Sequence, residues 1–175
     1  EDIALYRNML VGIAPEALPD DVPAPRVGFV RPPQWSRLEA STLRLLEEAA
    51  LRLSRAGATV VDAAMPLEFA QAEEDHRVIS CREFVQNFTR EIEHHWNEIS
   101  EDLRNGKIKT GMGYGFDPYR AAQISAARCR GGLAAVFADY DVLLAPAAVG
   151  DAPIGWNTGD STLASPWSLM HTPCM

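Results

Sequence analysis

Side chains able to do covalent chemistry are few in this chain, and they are scattered. A serine hydrolase needs a base that takes the nucleophile's proton, most often a histidine. His171 is the one histidine in a loop-like stretch, with Ser161, Ser165 and Ser168 close by in sequence. None of these serines lies in a Gly-x-Ser-x-Gly elbow, the strand-to-helix turn that exposes a nucleophile, so a self-contained Ser/His/Asp site is not expected. His76 and Cys81 stand five apart, a poor match to a single helix face, which disfavours a Cys/His pair. His94 and His95 are neighbours that diverge by about 100° on a helix, so they fit a solvated surface better than an i, i+4 metal site.

Gly111, Gly113 and Gly115 could suggest a phosphate cradle, but no strand precedes them and no P-loop Lys or Ser/Thr follows. With Met112, Tyr114 and Phe116 between and after them, they predict a hinged aromatic surface loop. Glu73, Glu74 and Asp75 read as the exposed face of a helix. The only lysines, Lys107 and Lys109, flank an expected turn near Gly106. A lysine must be desolvated to serve as a neutral base, and a turn with two lysines is wet. Within these residues the expectation is therefore no catalytic group, no metal and no cofactor.

The 175 residues suffice for one domain with a sizeable core, and 47% hydrophobic with 23% charged residues is ordinary for a globular chain. A net charge of −8 offers no cationic excess for neutralising phosphates, so nucleic acid is not an expected partner. No apolar run approaches the ~20 residues of a membrane span, so no membrane association is expected. Three widely spaced cysteines fit neither a disulfide framework nor a zinc knuckle, and a reduced, cytoplasmic protein is the reading they favour.

The elements that would position any site follow from periodicity. Ile3, Tyr6, Leu10 and Ile13 predict a short amphipathic helix, followed by an extended connector through Pro15, Pro19, Pro23 and Pro25. Residues 26–31 predict a strand. Leu38, Leu45, Leu46, Ala49 and Leu53 mark a helix with Ser36 as its amino cap, Glu39 three residues on and Gly57 at its end. Residues 58–63 predict the second strand, and the βαβ order implies parallel pairing. Helix is expected from Leu67 to about Arg104, a break at 105–107, a helix opened by Asp117-Pro118, and a third strand at 142–145. Pro146 then releases a long polar loop bearing Trp167 and His171.

Several of these pieces occur in the order seen in the amidase-signature family. Glu1-Asp2-Ile3-Ala4-Leu5 with Leu10 is similar to the helix after that family's catalytic core, and Pro25-Arg26-Val27-Gly28-Phe29-Val30 to its next strand. Residues 57–66 resemble the hydrophobic strand ending in proline, and Tyr140-Asp141-Val142-Leu143-Leu144-Ala145-Pro146 resembles the YDVLLxP strand. The resemblance implies an α/β fold, a mostly parallel sheet with covering helices, forming part of an amidase-signature domain. It also implies hydrolysis of a small-molecule amide through an acyl-enzyme, using a lysine, a bridging cis-serine and a nucleophilic serine. Nothing in residues 1–175 resembles that catalytic segment. The chain is thus expected to be a carboxyl-terminal fragment, a single domain, inactive alone, and prone to self-association through an exposed apolar sheet edge.

What the resemblance carries over is a pocket wall. Ser168, His171 and Pro173 stand where many members have the Asn, Gly and Pro of Asn-x-x-Gly-x-Pro, which leaves the substrate class open and disfavours the tRNA-dependent amidotransferase subunits. Trp167, His171, Ser168 and Tyr114 are the candidate substrate-binding residues, with Trp167 equally suited to a core role and Tyr114 and Phe116 to a lid. The alternative is a stand-alone α/β ligand-binding or interaction module.

Overall fold

The computed structural model of the chain describes residues 2–14, 22–155 and 159–174. Helix α1 (Asp2–Leu10) comes first, with Tyr6, Met9 and Leu10 exposed. Pro15 and Pro19 of the expected connector lie outside the described residues. Strand β1 (Arg26–Phe29) follows, then a 3₁₀ turn at Trp35–Arg37, helix α2 (Ala40–Arg55) and strand β2 (Thr59–Asp62). A 3₁₀ turn at Leu67–Gln71 leads into α3 (Ala72–Asn87) and α4 (Thr89–His94). Next come α5 (Glu101–Leu103), a π-helical turn at Arg104–Ile108, α6 (Lys109–Gly113), α7 (Phe116–Asp139), β3 (Val142–Leu144) and α8 (Ser165–Leu169).

The three strands form a parallel sheet in the order β2-β1-β3, with Val27 paired to Val60 on one side and Val142 on the other. Both faces of the central strand are covered, as parallel sheets require. Phe29 enters a cluster with Leu38, Leu46 and Leu163 beneath α2, and the next residue, Val30, joins Phe69, Ala126, Cys129, Leu133 and Trp167 on the opposite side. Leu144 and Leu143 divide between the two clusters in the same way. At the amino end of the sheet, the Arg26 guanidinium and backbone N–H both donate to Asp141, which holds that carboxyl below its usual range. Half-exposed Val61 and Val142 stand on the two outer strands.

Local sequence signals misplace several boundaries. Ser36 does not cap α2; it lies inside the 3₁₀ turn, and the helix begins after Glu39. Leu38 and Glu39 are drawn into extended backbone because Leu38 is buried and the Glu39 N–H bonds to the Val149 carbonyl at 2.8 Å. Gly57, at φ +100°, does end the α2 region as expected. The single helix expected from Leu67 to Arg104 is broken at Phe88, His95 and Ile99, with the Ser100 hydroxyl accepting the Leu103 N–H at 3.4 Å to restart it. Nor does the chain break at 105–107: Ile108, fully buried, pulls the segment down as a π turn that continues into α6. The expected glycine-rich hinged loop is thus helical to Gly113, and α7 starts at Phe116 behind Gly115. Pro166 to Leu169, expected in a loop, wind into α8.

Helix α3 packs on α7, and the Asp75 carboxyl is caught in that interface. It lies beside the Ser125 hydroxyl, and its Oδ2 has no hydrogen-bond partner among the described residues. Burial pushes this carboxyl above its ordinary range, Ser125 opposes the rise and Glu74 adds to it. Folding therefore favours the protonated form. The stability that goes with it is complete below the unfolded pKa of about 3.9 and is lost as pH rises through the higher folded value. Asp75→Asn, neutral at every pH, is expected to raise the urea midpoint at neutral pH and to remove this part of the decline as pH rises above about 4. An unchanged slope in the variant would refute the assignment.

Candidate functional site

A cleft of about 350 Å³ opens beside α3. Residues three and four apart share a helix face, and Glu73, His76, Arg77 and Ser80, with Cys81 at the margin, line its floor. The π turn brings Gly106 and Lys107 to one side, and α6 brings Thr110. Ser161, Thr162 and Ser165, at the end of the segment after β3 and the start of α8, close the other side.

The closing segment is held by a polar clasp. Glu73 accepts a hydrogen bond from the Thr162 hydroxyl at 3.0 Å and another from the Gln34 amide at 2.9 Å. The Arg37 guanidinium donates to Thr162 Oγ1 at 3.2 Å and pairs with Asp160. Asp160 in turn accepts the Thr162 N–H at 2.9 Å, and its bonds to Thr162 keep its carboxyl below the usual range. Thr162, Leu163 and Ser165 are buried at this point, while Arg37 and Asp160 close the outer, exposed side of the clasp.

The opposite side is set by close approach. A Cβ on Gly111 would run into the backbone carbonyl of Cys81, so only glycine allows α6 to lie directly against α3. Lys107 lies over the Phe84 ring at 5.1 Å from its centroid, a cation–π contact that holds its stem near the cleft. His76 is half-buried, and burial together with the Lys107 charge lowers its pKa, so the imidazole is neutral at neutral pH. Arg77 is fixed by two 2.8 Å bonds to Glu74.

The four sequence candidates fall in two places. Tyr114 stands one step behind the cleft: its hydroxyl donates to Glu74 at 3.3 Å and its ring lies 5.9 Å from the Arg77 guanidinium. Trp167 points inward and packs on Phe69 at 5.4 Å, in the cluster that gathers Val30, Ala63 and Ala145 just past the strand ends. Two residues are about 200° of helix, so Trp167 faces away from the side on which Ser165 meets the cleft. Ser168 is exposed, and its carbonyl accepts the N–H of His171, an exposed residue at φ 57°. None of these last three lines the cleft.

Arg77, Ser80, Thr110 and Thr162 were not singled out by sequence reasoning. The polar stripe at 73, 76, 77 and 80 was the available signal. His94 and His95 are exposed, and His95 bonds Glu98 at 2.8 Å, which raises its pKa. Among the described residues no group of three or more His, Cys, Asp or Glu could hold a metal, and no helix is long and apolar enough to cross a membrane. All three cysteines are free.

Searches by sequence match no family model and no curated protein. By structure, the chain superposes on the crystal structure of an amidase with a TM-score of 0.80 at 21% sequence identity, over 97% of this chain and 41% of that one. The fold is amidase-like. The chain thus spans well under half the length of the amidase it matches. In open α/β folds ligands gather outside the carboxyl ends of the strands. The amidase-like sheet has α8 and the clasped segment near that end, through the packing of Trp167 with Val30 and Ala145.

The clasp and the α3–α6 contact make separate predictions. Glu73→Ala leaves the shielded Thr162 hydroxyl and Gln34 amide without their acceptor, and should cost about 2 kcal/mol of unfolding free energy. Combined with Thr162→Val it should cost less than the two single changes summed, since both break one bond; strict additivity in denaturant titrations would show that the clasp is not coupled. Gly111→Ala should destabilise by about 1–3 kcal/mol through overpacking against α3, and a neutral result would contradict the close approach.

Proposed function

We propose that this chain is the scaffold and pocket-wall portion of an amidase-signature amidohydrolase, which hydrolyses a carbon–nitrogen amide bond of a small molecule through an acyl-enzyme. The observation that carries the reading is the amidase superposition, which takes in 97% of this chain. The family-like pieces named in the sequence add support, because they coincide with α1, β1, β2 and β3 in the family's order. The nucleophile, bridging serine and lysine belong, in this reading, to polypeptide outside residues 1–175.

The roles within the chain then divide by position. The segment 160–165 forms the wall, and the clasp from Glu73 and Arg37 sets where it stands. Trp167 serves the wall from behind by anchoring α8 in the core, while Ser168 and His171 offer polar groups on its exposed side. Tyr114 braces Arg77 through Glu74. Free thiols accord with a reducing, cytoplasmic setting.

Translating the reading frame upstream of Glu1 tests this directly. A lysine followed by a Gly/Ser-rich segment is expected, and the longer product should release ammonia or amine from carboxamides while the 175-residue chain does not. An upstream frame with neither feature would leave the stand-alone binding module as the better reading, and turnover by the 175-residue chain itself would overturn the division of labour.

A further inference from the structure

The cleft beside α3 is richer in donors than in free acceptors. The two carboxylate oxygens of Glu73 are already engaged by Thr162 and Gln34, and Thr162 spends its hydroxyl proton on Glu73. Arg77 gives Nε and Nη2 to Glu74 and keeps Nη1 unbonded among the described residues. Lys107 makes no ion pair among the described residues, and its contact with Phe84 leaves its three N–H groups available. Thr110 and Ser165 add hydroxyls, the latter on a buried residue.

Lys107 also acts on the cleft's histidine. Burial is the first cause of the lowered His76 pKa, and the nearby Lys107 charge adds to it, which places the ammonium beside the cleft wall that His76 forms. The net charge of −8 on the whole chain acts weakly here, because charges beyond about 10 Å are largely screened at 0.1 M salt. A volume of about 350 Å³ is at the small end of ligand sites, suited to a compact molecule.

We propose that this cleft binds a small oxyanion, a carboxylate or a phosphate group, held by Lys107 and Arg77 with the hydroxyls of Thr110 and Ser165 completing the donor set. The inference stands apart from the hydrolytic reading, since it concerns binding by these residues alone.

Amide-resolved NMR titration of the 175-residue chain with succinate, and separately with inorganic phosphate, tests it at constant ionic strength. Saturable shifts are expected at residues 76–81, 106–110 and 161–165, and the ion that saturates at lower concentration identifies which oxyanion the cleft prefers. Lys107→Gln and Arg77→Gln should each weaken binding about tenfold, the loss of one charge-assisted bond. Lys107→Arg should retain it. Lys109→Gln makes the same change in net charge at an exposed residue outside the cleft and should leave the affinity unaltered. The amide spectra of the variants report whether each is folded. No saturable binding of either ion, or equal weakening by Lys109→Gln and Lys107→Gln, would overturn the proposal.

Discussion

The arrangement depends on the Glu73 carboxylate, which sits where α3, the 3₁₀ turn after β1 and the segment after β3 converge. A partly buried carboxylate is costly unless its oxygens are hydrogen-bonded, and here each oxygen has a donor from a different stretch of chain. Gln34, more than a hundred residues before Thr162, is thereby tied to it through one side chain. Arg37 and Asp160 repeat the connection a few ångströms away, so segment 160–165 has little freedom to choose another position. The wall of the cleft inherits its geometry from that pair of links.

Helix α3 serves two environments at once. Ala72, Val78 and Cys81 are buried, with Phe69 just ahead of the helix in the main core, while Glu73, His76, Arg77 and Ser80 turn to the cleft. Asp75 falls between the two and is carried into the α7 interface with an unmatched oxygen. The cost of that oxygen is local. A helix with polar groups on one side and core on the other is rigid where it lines the cleft, because its rotation would expose the core residues. Gly111 adds a second restraint by letting α6 lie on the α3 backbone itself.

Sequence patterns located most of the sheet and the principal helices. Residues 26–29 and 59–62 are β-prone and separated by an amphipathic helix, and pairing in parallel follows from that order alone. Patterns failed where burial overruled local preference. Asn105-Gly106-Lys107 has the composition of a turn, yet Ile108 is fully buried and the chain remains helical to reach it. Three glycines suggested mobility, whereas one of them permits tight packing. Trp167 was legible as a core aromatic as well as a pocket residue, and within this chain its side chain packs in the main core cluster.

Composition and periodicity by themselves determined an acidic α/β chain with parallel strands, and marked the strand ending at Pro146 as the one that releases a long polar segment. Those features depend on spacing along the chain, which is visible without coordinates. Only the tertiary structure decided that the cleft is made by α3, Lys107 and residues 161–165. Its members lie up to about ninety residues apart and meet through a partly buried carboxylate and a glycine contact, and neither leaves a local periodicity to read.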